Sequence, residues 1–413
     1  MRRHLTNVAS LYGLQIATLV LPLVLLPFLT RRLGPDVWGV LAVQSSLSVL
    51  MAVVLEFGFG FGATRQAAAV RDDRQALGTI VSDLLVARAQ IAVAVAAVWV
   101  LVWFAVPLVQ QEPVAYVFTY FLTLAQGFSP AWFFQAVGRL PFVLTRDLAA
   151  RVSSTVIIVI IVHDPSQAWL VPAVQFASLA VSTAITNNTM LREVERGRFS
   201  VARGLVMLRE NVHLCLNRLV LVIAPMGNTF LLGALSPGSV AVYAAAERTA
   251  GATRSLLSPV SQIAFPEIVL LFGADPVRAK VVVRRILVGL VLGSAVMAGV
   301  LWFLADVIVA ILFGSAFAET AGVFRILLVS VPLFAIVQVL GLQWLLPLRH
   351  DRAFFISTVL GAITNIALAA ALAPAYGAMG MAWALLASET ALVVGILIYT
   401  EFVGPSYLRI LRR

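Results

Sequence analysis

The stretch "LTRRLGPDVWG" (Leu29–Gly39) closes the first long apolar run of the chain and sets Arg31 and Arg32 side by side just beyond it. As a helix, the run it closes, from about residue 9 to residue 30, crosses a hydrocarbon layer of roughly 30 Å. Gly34 and Pro35 stop that helix, and a second apolar run starts at about residue 37. Runs of the same kind recur at about 9–30, 37–58, 84–107, 115–136, 144–163, 168–190, 211–235, 240–266, 285–313, 322–347, 353–373 and 379–400. Only helices satisfy every backbone group over apolar segments of about 20 residues, whereas a barrel shows short alternating strands. The spacing therefore predicts an all-α polytopic membrane protein of twelve transmembrane helices. Composition agrees, with 61% hydrophobic and 12% charged residues and a mean hydropathy of +0.99, against roughly 45–50% and 25% in soluble domains.

The net charge of +10 excludes a nucleic-acid role, because the 29 Lys and Arg are spread over short connections instead of being gathered in a basic soluble domain. They orient the chain. With the N-terminus inside, 22 of the 29 fall on inner connections and tails, and Arg31 with Arg32 form the only outer pair. Both termini are expected in the cytoplasm, and the N-terminal "MRRHLTN" is read as the start of a retained helix and not as a signal peptide. Cys215 is alone and the four histidines lack ligand spacing, which leaves disulfides and a metal site unsupported. No nucleotide-binding loop is present, so no cofactor is expected.

An echo divides the chain in two. Asn7-Val recurs as Asn211-Val, and Leu33-x-Pro35 recurs as Leu235-x-Pro237. "AWFFQAVGRLPF" is echoed by "QWLLPLRHDRAFF" through Trp132 and Trp344. The common offset near half the length predicts two six-helix lobes, 1–190 and 211–413, joined by a basic cytoplasmic linker at 191–210. Six is even, so the lobes share orientation and are related by a pseudo-twofold axis along the membrane normal, with a substrate cavity expected between them.

Charges inside the spans mark the candidate site. On the eighth span Tyr243, Glu247, Gly251, Arg254, Ser258 and Ser261 fall on one face at helical period. Arg218, Arg248 and Glu389 are comparably deep, whereas Arg88 and Arg325 lie near span ends and are expected to snorkel. Five unpaired deep charges would cost roughly 12 to 18 kcal/mol on insertion scales. Partners or water must offset that, an ion pair such as Glu247 with Arg218 being one arrangement. Gln15 and Thr18 on the first span, Gln175, Ser178 and Ser182 on the sixth, and Asn365 on the eleventh suit either sugar binding or helix contacts. The excess of arginine over carboxylate, with guanidinium geometry matched to phosphate, points to an anionic ligand.

With "LLPFLTRRLGPDVWG", "EFGFGFGATRQAA", "GFSPAWFFQAVGRL", "AVYAAAERTAGATRSLLSPVSQIAFPEI" and "LAPAYGAMGMAWALLASE", the chain resembles the polysaccharide transporter family. These are the O-antigen and exopolysaccharide flippases of the multidrug/oligosaccharidyl-lipid/polysaccharide exporter superfamily. The resemblance implies transport, not catalysis: an undecaprenyl-pyrophosphate-linked oligosaccharide moves from the inner to the outer leaflet of the bacterial cytoplasmic membrane by alternating access. It also implies a proton or sodium gradient as energy source, and a polysaccharide polymerase and chain-length regulator as partners besides membrane lipids. Under it Arg31, Arg32, Arg218, Arg248 and Arg254 are the candidate substrate-binding residues, and Glu247 and Glu389 the candidate coupling carboxylates. Competing readings are the related lipid II flippase, which usually carries two further C-terminal helices, and a polytopic polysaccharide polymerase, which needs a large outer catalytic loop.

Overall fold

The computed structural model of the chain describes the backbone of residues 2–195 and 197–403, and side chains within that range except at 2–20, 22, 23, 217, 221–225, 262, 263, 266 and 403. Asn7, Gln15, Thr18, Arg409, Arg412 and Arg413 lie outside the residues whose side chains are described. The described residues are helical almost throughout and form no strand. In chain order the helices are α1 (Arg2–Glu56), α2 (Phe59–Ala69), α3 (Arg74–Ala105), α4 (Pro113–Gly127), α5 (Ala131–Ala136), α6 (Leu140–Ile161) and α7 (Leu170–Glu193). There follow α8 (Val201–Leu235), α9 (Val240–Ser255), α10 (Ser258–Ala274), α11 (Pro276–Phe303), α12 (Ala305–Phe313), α13 (Thr320–Val337) and α14 (Asp351–Ile398).

Six stretches among the described residues are long and apolar enough to cross a membrane: Val24–Ala69, Arg74–Ala105, Pro165–Glu193, Pro276–Phe303, Thr320–Leu345 and Asp351–Phe402. Two of them are helix pairs. Gly34, at φ 74° and ψ 172°, separates the two parts of α1, and Gly377, at φ 54°, separates those of α14. A residue with a Cβ is strained at such angles, and Pro35 then opens the next helix where its missing N–H costs nothing. The exterior is apolar: on α11, Leu292, Val296 and Phe303 are 62, 68 and 78% exposed. That surface suits lipid and not water. The chain is a multi-pass membrane protein.

Three predicted spans are interrupted. The 115–136 run breaks between α4 and α5 at Phe128–Pro130, where Pro130 has no N–H to offer the preceding turn. The 240–266 run breaks at Leu256 and Leu257 just before Pro259, and the 285–313 run at Leu304. The 322–347 run ends in a π-helical segment, Gln338–Leu345.

The chain forms two compact units, one ending at Val222 and one beginning at Ile223, so the division falls inside α8. The stretch expected as a linker is docked on α3. Arg74 donates from Nε to the Glu193 carbonyl and from Nη2 to the Arg192 carbonyl, both at 3.0 Å, and Arg203 pairs with Asp83 at 3.1 Å. From Val201 onward the same stretch is already α8.

Each unit has its own core around one member of the tryptophan echo. Trp132 packs with Leu55, Phe59, Phe133 and Phe134 in the first, and Trp344 with Ile268, Val283, Leu340 and Leu345 in the second. Both segments end in the same cap. Gly138 (φ 74°) donates to the Gln135 carbonyl and Arg139 to that of Phe134; Arg349 (φ 60°) donates to Leu346 and His350 to Leu345. These paired three- and five-residue reaches are the Schellman arrangement, which satisfies carbonyls left open where a helix stops.

Candidate functional site

In the first unit the charges gather below the break between α4 and α5. A broken helix exposes carbonyls that have lost their partners, and in an apolar medium each must find a donor. Asn187 on α7 donates to the Phe128 carbonyl at 3.1 Å, and Arg88 on α3 donates from Nη1 to the Ser129 carbonyl at 3.0 Å. Arg88 is only 3% exposed, so it does not snorkel as its position near a span end suggested. Its stem points inward because the freed carbonyl lies there, and a cation at a helix C-terminus is further favoured by the dipole.

Glu56, the last residue of α1, faces the same place. Its Oε2 pairs with Arg218 Nη2 of α8 at 2.9 Å, the two side chains being 27% and 39% exposed. Together Glu56, Arg88, Gln126, Trp132 and Gln135 line a cavity of about 370 Å³ within this unit. Two buried donors on its wall, Arg88 Nε and the Trp132 indole N–H, have no hydrogen-bond partner among the described residues.

The second unit holds a tighter cluster. Arg254, in the last turn of α9, pairs through Nη2 with Glu247 Oε1 at 3.5 Å and donates from Nη1 to Ser330 Oγ of α13 at 3.3 Å. Ser330 Oγ in turn donates a hydrogen bond to the Leu327 carbonyl at 2.7 Å. Arg254 and Glu247 side chains are 7% and 16% exposed. Glu389 on α14 lies within electrostatic reach of Arg254, and Arg248 within reach of Glu247. Two further residues of the polar stripe join helices: Asn228 donates to Tyr243 Oη at 3.2 Å, and Gln338 to Ser258 Oγ at 3.3 Å, whereas the buried Ser261 hydroxyl has no partner among the described residues.

The matching family model covers residues 4–272 and is described as polysaccharide biosynthesis protein. The chain belongs to that family. Among curated relatives it is 22% identical over 388 residues, 93% of each chain, to a protein of Escherichia coli (strain K12) named as a candidate O-antigen transporter. It is 21% identical over 399 residues, 95% of this chain and 98% of the other, to one of the same name from Shigella dysenteriae. Among solved structures it is similar to lipid II flippase MurJ in an inward closed conformation, at TM-score 0.72 and 12% identity, covering 97% of this chain and 90% of that one. A eukaryotic MATE transporter, AtDTX14, matches at TM-score 0.56 and 15% identity, covering 98% and 94%. At such identities the structural likeness speaks to fold alone.

For this member of the polysaccharide biosynthesis family the deep charges resolve into two clusters. Arg218 pairs with Glu56, not with Glu247 as the sequence had suggested, and Glu247 takes Arg254 from its own helix. Arg31 and Arg32 flank the Gly34 turn, both exposed, with the Arg32 guanidinium 5.9 Å from the Phe28 ring centre. Arg325, toward a span end, pairs with Asp306 and donates to the Trp302 carbonyl at 3.3 Å. Glu56 is the residue that sequence reasoning missed. It sits at the end of its apolar run, beside the "GFGFG" stretch, and reads as a boundary residue until the fold places Arg88 and Arg218 beside it.

Proposed function

We propose that the chain is a flippase that carries an undecaprenyl-pyrophosphate-linked oligosaccharide from the inner to the outer leaflet of the bacterial cytoplasmic membrane, for O-antigen, capsule or exopolysaccharide assembly. The observation that carries this reading is kinship over at least 93% of the chain with two relatives named for O-antigen transport. The charge clusters support it: guanidinium groups placed inside an apolar protein are suited to a phosphorylated cargo. On this reading the chain crosses the membrane twelve times in two six-helix lobes with both termini cytoplasmic. The charged interior faces the two sides of the membrane in alternation.

Arg254, Arg248 and Arg218 then meet the pyrophosphate in transit, and Arg31 and Arg32 meet it at the outer end. Glu247 and Glu389 couple transport to a proton or sodium gradient. A cation bound at either carboxylate weakens its hold on Arg254 and frees the guanidinium for the anion, and dissociation restores the pair. A polysaccharide polymerase and a chain-length regulator receive the product.

The test replaces Arg254 with Ala and with Lys in a strain lacking the native copy, at matched membrane levels. Surface polysaccharide and inward-facing lipid-linked oligosaccharide are quantified. Trapping of the intermediate by both variants is the expected result, and normal transport by both would reject the arginine role. The fold likeness to lipid II flippase MurJ keeps peptidoglycan precursor as the second cargo to test. Reconstituted protein that moves lipid II and not the oligosaccharide carrier would favour that reading.

A further inference from the structure

The first-unit cavity has a chemistry of its own. A pyrophosphate site is expected to be purely cationic, yet this wall carries the Glu56 carboxylate, whose Oε2 is held by Arg218 at 2.9 Å while Oε1 is turned toward Gly60. A Cβ at position 60 would come within 2.5 Å of that Oε1, so an alanine there would turn the carboxylate aside from the position it holds here. Opposite in charge, Arg88 stands on the same wall, 3% exposed and with its Nε unpartnered. The Trp132 N–H is also buried without an acceptor, and Gln126 and Gln135 add amides that donate and accept. Valine and alanine side chains from the α1 face, Val49, Ala52 and Val53, complete it with apolar surface.

A phosphate or other anion would meet the Glu56 carboxylate, and a cationic ligand would meet Arg88. A neutral group that both donates and accepts satisfies both, and the volume of about 370 Å³ is sufficient for one or two pyranose rings. Ring hydroxyls would donate to Glu56 Oε1 and accept from Arg88, and the apolar ring face would lie on the tryptophan and aliphatic surface. Buried donors left unpaired are costly, and an acceptor-bearing occupant would recover part of that cost. The geometry points to a subsite in the first unit for one uncharged glycosyl residue of the cargo, occupied while Glu56 holds Arg218 and so distinct from the state in which Arg218 meets the pyrophosphate. Gln126 and Gln135 read the hydroxyl pattern. This rests on the flippase reading for the identity of the cargo, but the subsite can be tested without it.

The full chain in lipid nanodiscs is titrated with methyl glycosides of neutral hexoses and N-acetylhexosamines, with methyl glucuronide and inorganic pyrophosphate as charged probes, by saturation-transfer NMR and tryptophan fluorescence. At least one neutral glycoside is expected to bind more tightly than either charged probe. Gly60→Ala and Gln135→Ala are each expected to weaken that binding at least tenfold. Gln135 is exposed, so its alanine variant keeps the fold even if Gly60→Ala does not. Absence of neutral-glycoside binding, binding unchanged in Gln135→Ala, or preference for pyrophosphate at this cavity would overturn the subsite. Translocation of lipid-linked oligosaccharide by the same preparations separates the two readings. Flipping by wild type without glycoside binding sinks the subsite alone, whereas glycoside binding that Gln135→Ala weakens, without flipping, sinks the flippase and leaves the subsite standing.

Discussion

The two units solve the same problem, a glutamate and an arginine inside an apolar protein, in different ways. Glu247 and Arg254 lie on one helix, two turns apart, and are enclosed by α13 to 16% and 7% exposure. Glu56 and Arg218 come from α1 and α8, are 27% and 39% exposed, and border a cavity. In a pair sealed by packing neither charge can leave its partner uncompensated without a large desolvation penalty, so Arg254 can part from Glu247 only when a bound cation and an incoming anion take the two partners' places. A pair that borders open volume can exchange its partner for a ligand at small cost. Identical residue types thus differ in what they are free to do, and the difference lies in the surroundings.

Several experiments would break or sharpen that contrast. The largest effect is expected from Arg254→Ala, which strands Glu247 and should lower unfolding free energy by about 3–5 kcal/mol, read as a fall in thermal midpoint in detergent. The double variant with Glu247→Ala should lose less than the sum of the singles. If Arg254→Ala cost no more than Arg218→Ala, the sealed-versus-open distinction would be wrong.

Arg88→Met should cost about 1.5–3 kcal/mol, the worth of a hydrogen bond from a charged donor, since the Ser129 carbonyl at the helix break is left without it. Hydrogen exchange at the start of α5 should rise in that variant while α13 stays protected. Exchange that spread equally through both units would show that the clusters are not independent.

The matched caps allow a smaller and opposite pair of changes. Arg349→Gly should raise stability by roughly 1–2 kcal/mol and Gly138→Ala lower it by a similar amount, because only glycine takes the left-handed conformation without strain. Equal responses in sign would deny that the two caps are equivalent. The smallest effect is expected for Arg218→Ala, about 0–1 kcal/mol in unfolding free energy. Its thermal midpoint should stay near wild type in low and high salt while transport falls.

Much of the fold was legible as hydrophobic run length. The apolar runs became helix, three of them with a break, Gly34 and Pro35 formed the turn they signalled, and each tryptophan of the echo is buried in a core whose segment ends in a Schellman cap. The interruption at Phe128–Pro130 was written in the proline but hidden by the continuity of the apolar run around it. The clusters were legible only in part. The stripe Tyr243, Glu247, Arg254 announced an interior face of α9, and that much was periodicity; Ser258, expected on the same helix, lies beyond the break and opens α10. The partners were not, since Ser330, Asn228 and Gln338 reach it from other helices.

From the sequence alone came what depends on local order and on solvent: membrane residence, helix after helix, turn positions, and the cost that obliges buried charges to find company. The tertiary structure alone decided which company. Arg88 turned inward because a carbonyl 41 positions along the chain had lost its helix partner, and Arg218 met Glu56 across 162 positions. Such pairings are set by how helices pack, and a residue's type and neighbours in sequence state its need for a partner without saying from which helix the partner comes.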